Sequence, residues 1–228
     1  MNTGMAVSVA QWWATDAPVL PSPWALAWGL RLGWSVVLAW LGFWLAGRFR
    51  VGGTVQLGIA LLLAVWTWMP GPYALAYWLG LAFQLPSISL VVLSGVLLAR
   101  SLLHAQASPK AYVPEPRTSP VWIVSGVLLG WVLLLDTLAV FPLSLYVWGW
   151  SPMAVSLVAL CAGMPWLLQV RKVSVALEAW VLVVVVGLFV VTRLPTGNLW
   201  DALLDPCLWV VLHVLLVRHL VNCYRKRS

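Results

Sequence analysis

Seven apolar stretches dominate the chain, at 23–46, 52–69, 86–103, 121–141, 152–170, 174–192 and 206–222, and positive charge collects in every second loop between them. A helix needs about 20 mainly apolar residues to cross a bilayer. The spacing therefore predicts an all-α integral membrane protein with seven transmembrane helices. Of 228 residues, 63% are hydrophobic and 8% charged, and the mean hydropathy is +0.96. A water-soluble domain of this size could not bury so much apolar surface, so lipid is the expected solvent.

Charge sets the orientation. With seven spans drawn, Arg48, Arg50, Arg100, Lys110, Arg117, Arg171, Lys172, Arg218, Arg225, Lys226 and Arg227 fall on one face, Arg193 on the other and Arg31 inside the first span. Short basic loops face the cytoplasm. The expectation is an N-terminus outside, a cytoplasmic C-terminus, and a multi-pass protein of a bacterial-type inner membrane. The net charge of +7 is then a matter of topology, and nucleic acid is not expected as a partner. The 18 Trp fit an interfacial aromatic belt, where an apolar ring and a polar N–H are both accommodated.

The first three spans recur as the last three. Ser22-Pro23-Trp24-Ala25 opens span one and Ser151-Pro152-Met153-Ala154 opens span five. Met69-Pro70-Gly71 ends span two and Leu194-Pro195-Thr196-Gly197 ends span six. Ser89–Leu102 aligns without a gap onto Cys207–Leu220, and Arg100 meets Arg218. Two three-helix units joined by one helix share an orientation, which gives a 3+1+3 parallel repeat. In architecture alone this resembles the plan of SWEET-type sugar transporters; no motif carries the likeness further. The expected organisation is residues 1–103 as the first unit with an outer N-terminal segment, 104–120 as a cytoplasmic linker, 121–141 as the connecting helix, and 151–228 as the second unit. Tyr73–Phe83 is too short to cross and reads as an interfacial helix. The Pro and Ser content of 104–120 argues against helix there.

Ionisable and polar groups inside a membrane are costly and mark candidate sites. Arg31, Asp136 and His213 fall at similar depths, within about 5 Å by the helical rise. They are expected to form a structural ion pair or outer cluster. Gln56 and Glu178 occupy equivalent positions in the repeat, as a ligand site between repeats would require. Gln84, Tyr77 and Trp78 offer aromatic walls and a hydrogen-bonding group beside the interfacial helix. Gly126 and Gly130 form a G-x-x-x-G pair suited to close helix packing, either within the chain or as a homodimer seam. The three Cys and three His are too scattered for a metal or haem site, and no cofactor is expected. No nucleophile has a base at a suitable depth, so no catalytic residue is assigned and an enzyme is the less favoured class.

Three functions follow as expectations. The first is a small transporter or permease with a path between the repeats. The second is a non-catalytic anchoring or scaffold subunit of a larger envelope complex. The third is an intramembrane enzyme on a lipid-linked substrate. The expected partners are the lipid bilayer with other membrane subunits or a second copy.

Overall fold

A computed structural model of the protein describes residues 19–107, 119–141, 144–167 and 173–225, with 104–107, 165–167 and 173–178 as backbone only. Among the described residues all regular structure is helical. Pro23–Arg48, Pro120–Thr137 and Pro206–Arg225 are long and apolar enough to cross a membrane, and Gly53–Trp66, Ile88–Leu103, Pro152–Met164 and Ala179–Thr192 are shorter apolar helices. The chain is thus an all-helical protein with the composition of a membrane protein. It divides into two compact units, Ser22–Arg117 and Met1–Pro21 with Thr118–Ser228. The helix expected to connect two repeats falls within the second of these.

The first unit contains α1 (Pro23–Arg48), α2 (Gly53–Trp66), a 3-10 turn (Gly71–Tyr73), α3 (Leu75–Phe83) and α4 (Ile88–Ala107). α1 starts where Ser22 Oγ accepts the Ala25 amide and Pro23 takes the first helical position, a place where its missing N–H costs nothing. It ends in a Schellman turn. Arg50 adopts φ 56°, and the Arg50 and Val51 amides reach back to the Gly47 and Ala46 carbonyls. α1 buries Gly33, Ser35, Ala39, Gly42, Ala46 and Gly47 along with Trp34, Val37 and Phe43. Small residues let neighbouring helices approach closely. Ala39, Phe43 and Ala60 form a core with Ala64, Leu98 and Leu102 against it, which joins α1, α2 and α4. α4 runs to Ala107, four residues into the stretch where Pro and Ser predicted no helix. The prolines of that stretch begin only at Pro109, so nothing in 104–107 breaks the helix; residues 108–118 lie outside those described.

The second unit contains α5 (Pro120–Thr137), α6 (Leu145–Trp148), α7 (Pro152–Leu167), α8 (Val173–Thr192), α9 (Leu199–Leu203) and α10 (Pro206–Arg225). α7 and α10 begin as α1 does, with a side-chain acceptor ahead of Pro. Ser151 Oγ accepts the Ala154 amide at 3.2 Å, and Asp205 Oδ1 accepts the Leu208 amide at 2.7 Å. α8 buries Ala179, Val181, Val185, Val186 and Phe189. α5 packs on α10 through its glycines: Gly126 lies against Leu212, and Gly130 lies under the Trp209 indole with no room for a Cβ. The small-residue face of α5 is thus occupied by a helix of the same chain.

Candidate functional site

In the first unit the turn and short helix 71–83 are held by indoles. Trp66 Nε1 donates to the Tyr73 carbonyl at 2.9 Å, and Trp78 Nε1 to the Pro72 carbonyl at 2.8 Å. Tyr77 and Trp78 meet edge to face at 5.3 Å. Behind this segment lies a recess of about 120 Å³ whose lining includes Arg31, Met69, Gly71, Ala76 and Tyr77. Arg31 is exposed, and no carboxylate pairs with it among the described residues. Gln84 ends α3 at φ 61° and ψ −147°, a region that suits glycine and is strained for other residues. Its carbonyl accepts Trp34 Nε1 at 3.0 Å, so backbone rather than side chain forms the link that fixes this corner.

Gln56 is 3% exposed and donates through Nε2 to the Val51 carbonyl at 2.6 Å, at the start of its own helix. Its amide nitrogen is thereby used locally. Glu178 belongs to α8, and its side chain lies outside the described residues. Beside Gln56's helix, the Ser35 and Thr67 hydroxyls share a short hydrogen bond, so one donates to the other and only the second is left to donate to the Ala64 carbonyl, which both approach, while Trp68 Nε1 donates to Ser35 Oγ at 2.8 Å.

The second unit carries a polar knot that sequence reasoning missed. Asp136 is buried near the end of α5, and its two oxygens accept the Leu145 and Tyr146 amides at 3.0 and 2.7 Å. Tyr146 donates its hydroxyl to Asp201 Oδ2 at 2.6 Å, where Thr196 Oγ1 also donates. Asn198 is fully buried. Its Nδ2 donates to the Tyr146 carbonyl at 2.9 Å and its Oδ1 accepts the Trp200 amide at 2.9 Å. Trp200 Nε1 donates to the Leu145 carbonyl at 3.1 Å. Asn198 and Asp201, three residues apart at the N-cap and third position of a short helix, follow the spacing of a capping sequence, which was the available signal.

Burial, reinforced by Asp201, pushes the Tyr146 hydroxyl above its ordinary value, because the phenolate would lose hydration beside a carboxylate. A raised folded value means that this hydroxyl's stabilisation is complete below the unfolded value near pH 10 and fades as pH rises beyond it. In detergent, the melting-temperature difference between wild type and Tyr146→Phe is expected to hold at neutral pH and to shrink above about pH 10. A difference that stays constant up to strongly alkaline pH would show that the hydroxyl is not coupled to Asp201.

His213 accepts Trp131 Nε1 at 3.2 Å on Nε2 and lies 2.9 Å from the Trp209 carbonyl through Nδ1. With Nε2 accepting, Nδ1 is the ring nitrogen that donates to that carbonyl. Trp209 and His213 stack edge to face at 4.6 Å, and Trp209 Nε1 donates to the Val127 carbonyl at 3.2 Å. Asp136 and His213 therefore have separate partners, and Arg31 belongs to the other compact unit.

Comparison with known proteins finds no matching family model, no similar curated protein and no similar solved structure.

Proposed function

We propose that the protein is a multi-pass subunit of an inner membrane, with seven spans in a 3+1+3 parallel plan, that anchors or positions partners in a larger envelope complex without catalysing a reaction. One observation carries this reading: Arg31 apart, the described side chains that mark candidate sites in the long apolar helices, Gln56, Asp136 and His213, are spent on the chain's own groups. Gln56 holds the Val51 carbonyl, Asp136 holds two amides, and His213 sits between Trp131 and Trp209. Groups engaged in this way stabilise a shape; a permeation path needs groups left to meet a solute.

Matched helix punctuation supports the duplicated plan. Gly71 and Gly197, each five residues past the end of the second helix of a proposed repeat, both adopt positive φ, at 57° and 87°. Ser22 and Ser151 cap the equivalent first helices. The same duplication favours a permease as the second reading, with its path between the repeats and Gln56 and Glu178 in its lining.

Extraction in a mild detergent followed by native mass measurement separates the two. The scaffold reading expects a particle that holds other membrane subunits in fixed ratio. A particle containing this chain alone overturns it, and solute uptake by vesicles holding only this chain would establish the permease instead.

A further inference from the structure

We infer that the recess beside Arg31 is a binding site for the phosphodiester headgroup of an anionic phospholipid. Arg31 lies about 12 Å along α1 from Pro23, by the helical rise, within a helix of membrane-spanning length and composition. A guanidinium there needs an anion, water or a route to the interface. Among the described residues the protein supplies no carboxylate to it, and it opens instead into the recess.

Size selects the ligand. About 120 Å³ is far more than one water needs and well below the roughly 300–1,000 Å³ of pockets that enclose whole small molecules. A single headgroup fits, with its acyl chains left outside. Chemistry selects it too, because Arg presents a planar fork of donors that matches two phosphate oxygens at once. The surroundings favour a lipid over a free anion. Trp66, Tyr73, Tyr77 and Trp78 are all exposed around the same turn, as at the headgroup level of a bilayer. The apolar side chains of Leu32 on α1 and Leu81 on α3 are exposed, where acyl chains would lie. This site rests on the membrane placement and not on the scaffold reading, so either can fail alone.

The test is native mass spectrometry of the full chain in a neutral detergent, with added phosphatidylglycerol, with diacylglycerol of the same chains, or with inorganic phosphate. Wild type is expected to retain phosphatidylglycerol and neither of the others. Arg31→Gln is expected to lower retention tenfold or more, and Arg100→Gln to leave it unchanged. Met69→Trp, which changes a 44% exposed residue of the recess, keeps Arg31 and should also reduce retention; it decides the matter if Arg31→Gln does not fold. Unchanged retention in the folded Arg31→Gln protein, or in Met69→Trp if Arg31→Gln does not fold, overturns the site and leaves Arg31 as a snorkelling cation. Equal retention of diacylglycerol removes the role of phosphate, and equal binding of inorganic phosphate removes the lipid.

Discussion

Replacing Gly149 with Ala is expected to lower the thermal midpoint of the detergent-solubilised protein by on the order of 10 °C, equivalent to about 2–5 kcal/mol. A methyl group at this buried position would overlap Asn198 Oδ1 and stand 2.5 Å from Trp200 Cδ1. Neither neighbour can yield cheaply. Asn198 is fully buried and ties the Tyr146 carbonyl to the start of α9, while the Gly149 carbonyl itself accepts the Leu199 amide at 2.9 Å. Overpacking and an orphaned amide therefore act together. The control is Gly187→Ala, where an added Cβ meets nothing within 4 Å. That change should be neutral or raise stability by about 0.5–1 kcal/mol, because glycine weakens a helix interior. Equal effects at the two sites would sink the account of Gly149.

Asp136→Ala should cost about 3 kcal/mol or more, since it strands two amides that now share a carboxylate, and hydrogen bonds to charged groups are worth about 1.5–3 kcal/mol each. Against a typical total of 5–15 kcal/mol this is a large share. Asp136→Asn keeps the shape and one acceptor but turns an NH2 toward the second amide, so its midpoint should fall between wild type and Asp136→Ala. The carboxylate stands near the end of α5 and its amide partners begin α6, so the loss should be local: α5 keeps its packing on α10 while the start of α6 loosens. Hydrogen exchange at the Leu145 and Tyr146 amides reads this directly. If those amides stay as protected in Asp136→Ala as in wild type, the carboxylate is not what holds them.

The helices and several of their ends were legible because local chemistry decides them. Ser22-Pro23 and Ser151-Pro152 announce helix starts, and capping geometry at both places agrees. The short helix before Gln84 was visible as an aromatic stretch too brief to span. Asp136 shows where such reading stops. Depth along a span brings Arg31 to mind as its partner, yet its oxygens are taken by backbone amides about ten residues further on. Periodicity carries no information about the path of a return loop, and a carboxylate is satisfied by amides as readily as by a guanidinium. Gln56 was likewise read by its place in a repeat, while its nearest acceptor is a carbonyl of its own helix start. Gly130 could be recognised as a packing residue but not assigned a neighbour, because small-residue spacing does not say which helix fills the groove.

The indoles acquire a different meaning from these contacts. At four places where the chain turns between helices, a Trp N–H meets a backbone carbonyl: Trp34 for Gln84, Trp66 for Tyr73, Trp78 for Pro72, Trp200 for Leu145. At the edge of a bilayer those carbonyls would otherwise draw on water or on lipid headgroups. A protein that carries its own donors to its corners keeps the same corner geometry as hydration and lipid composition change around it. Its tryptophans serve as a portable solvent, fixed in place and always oriented.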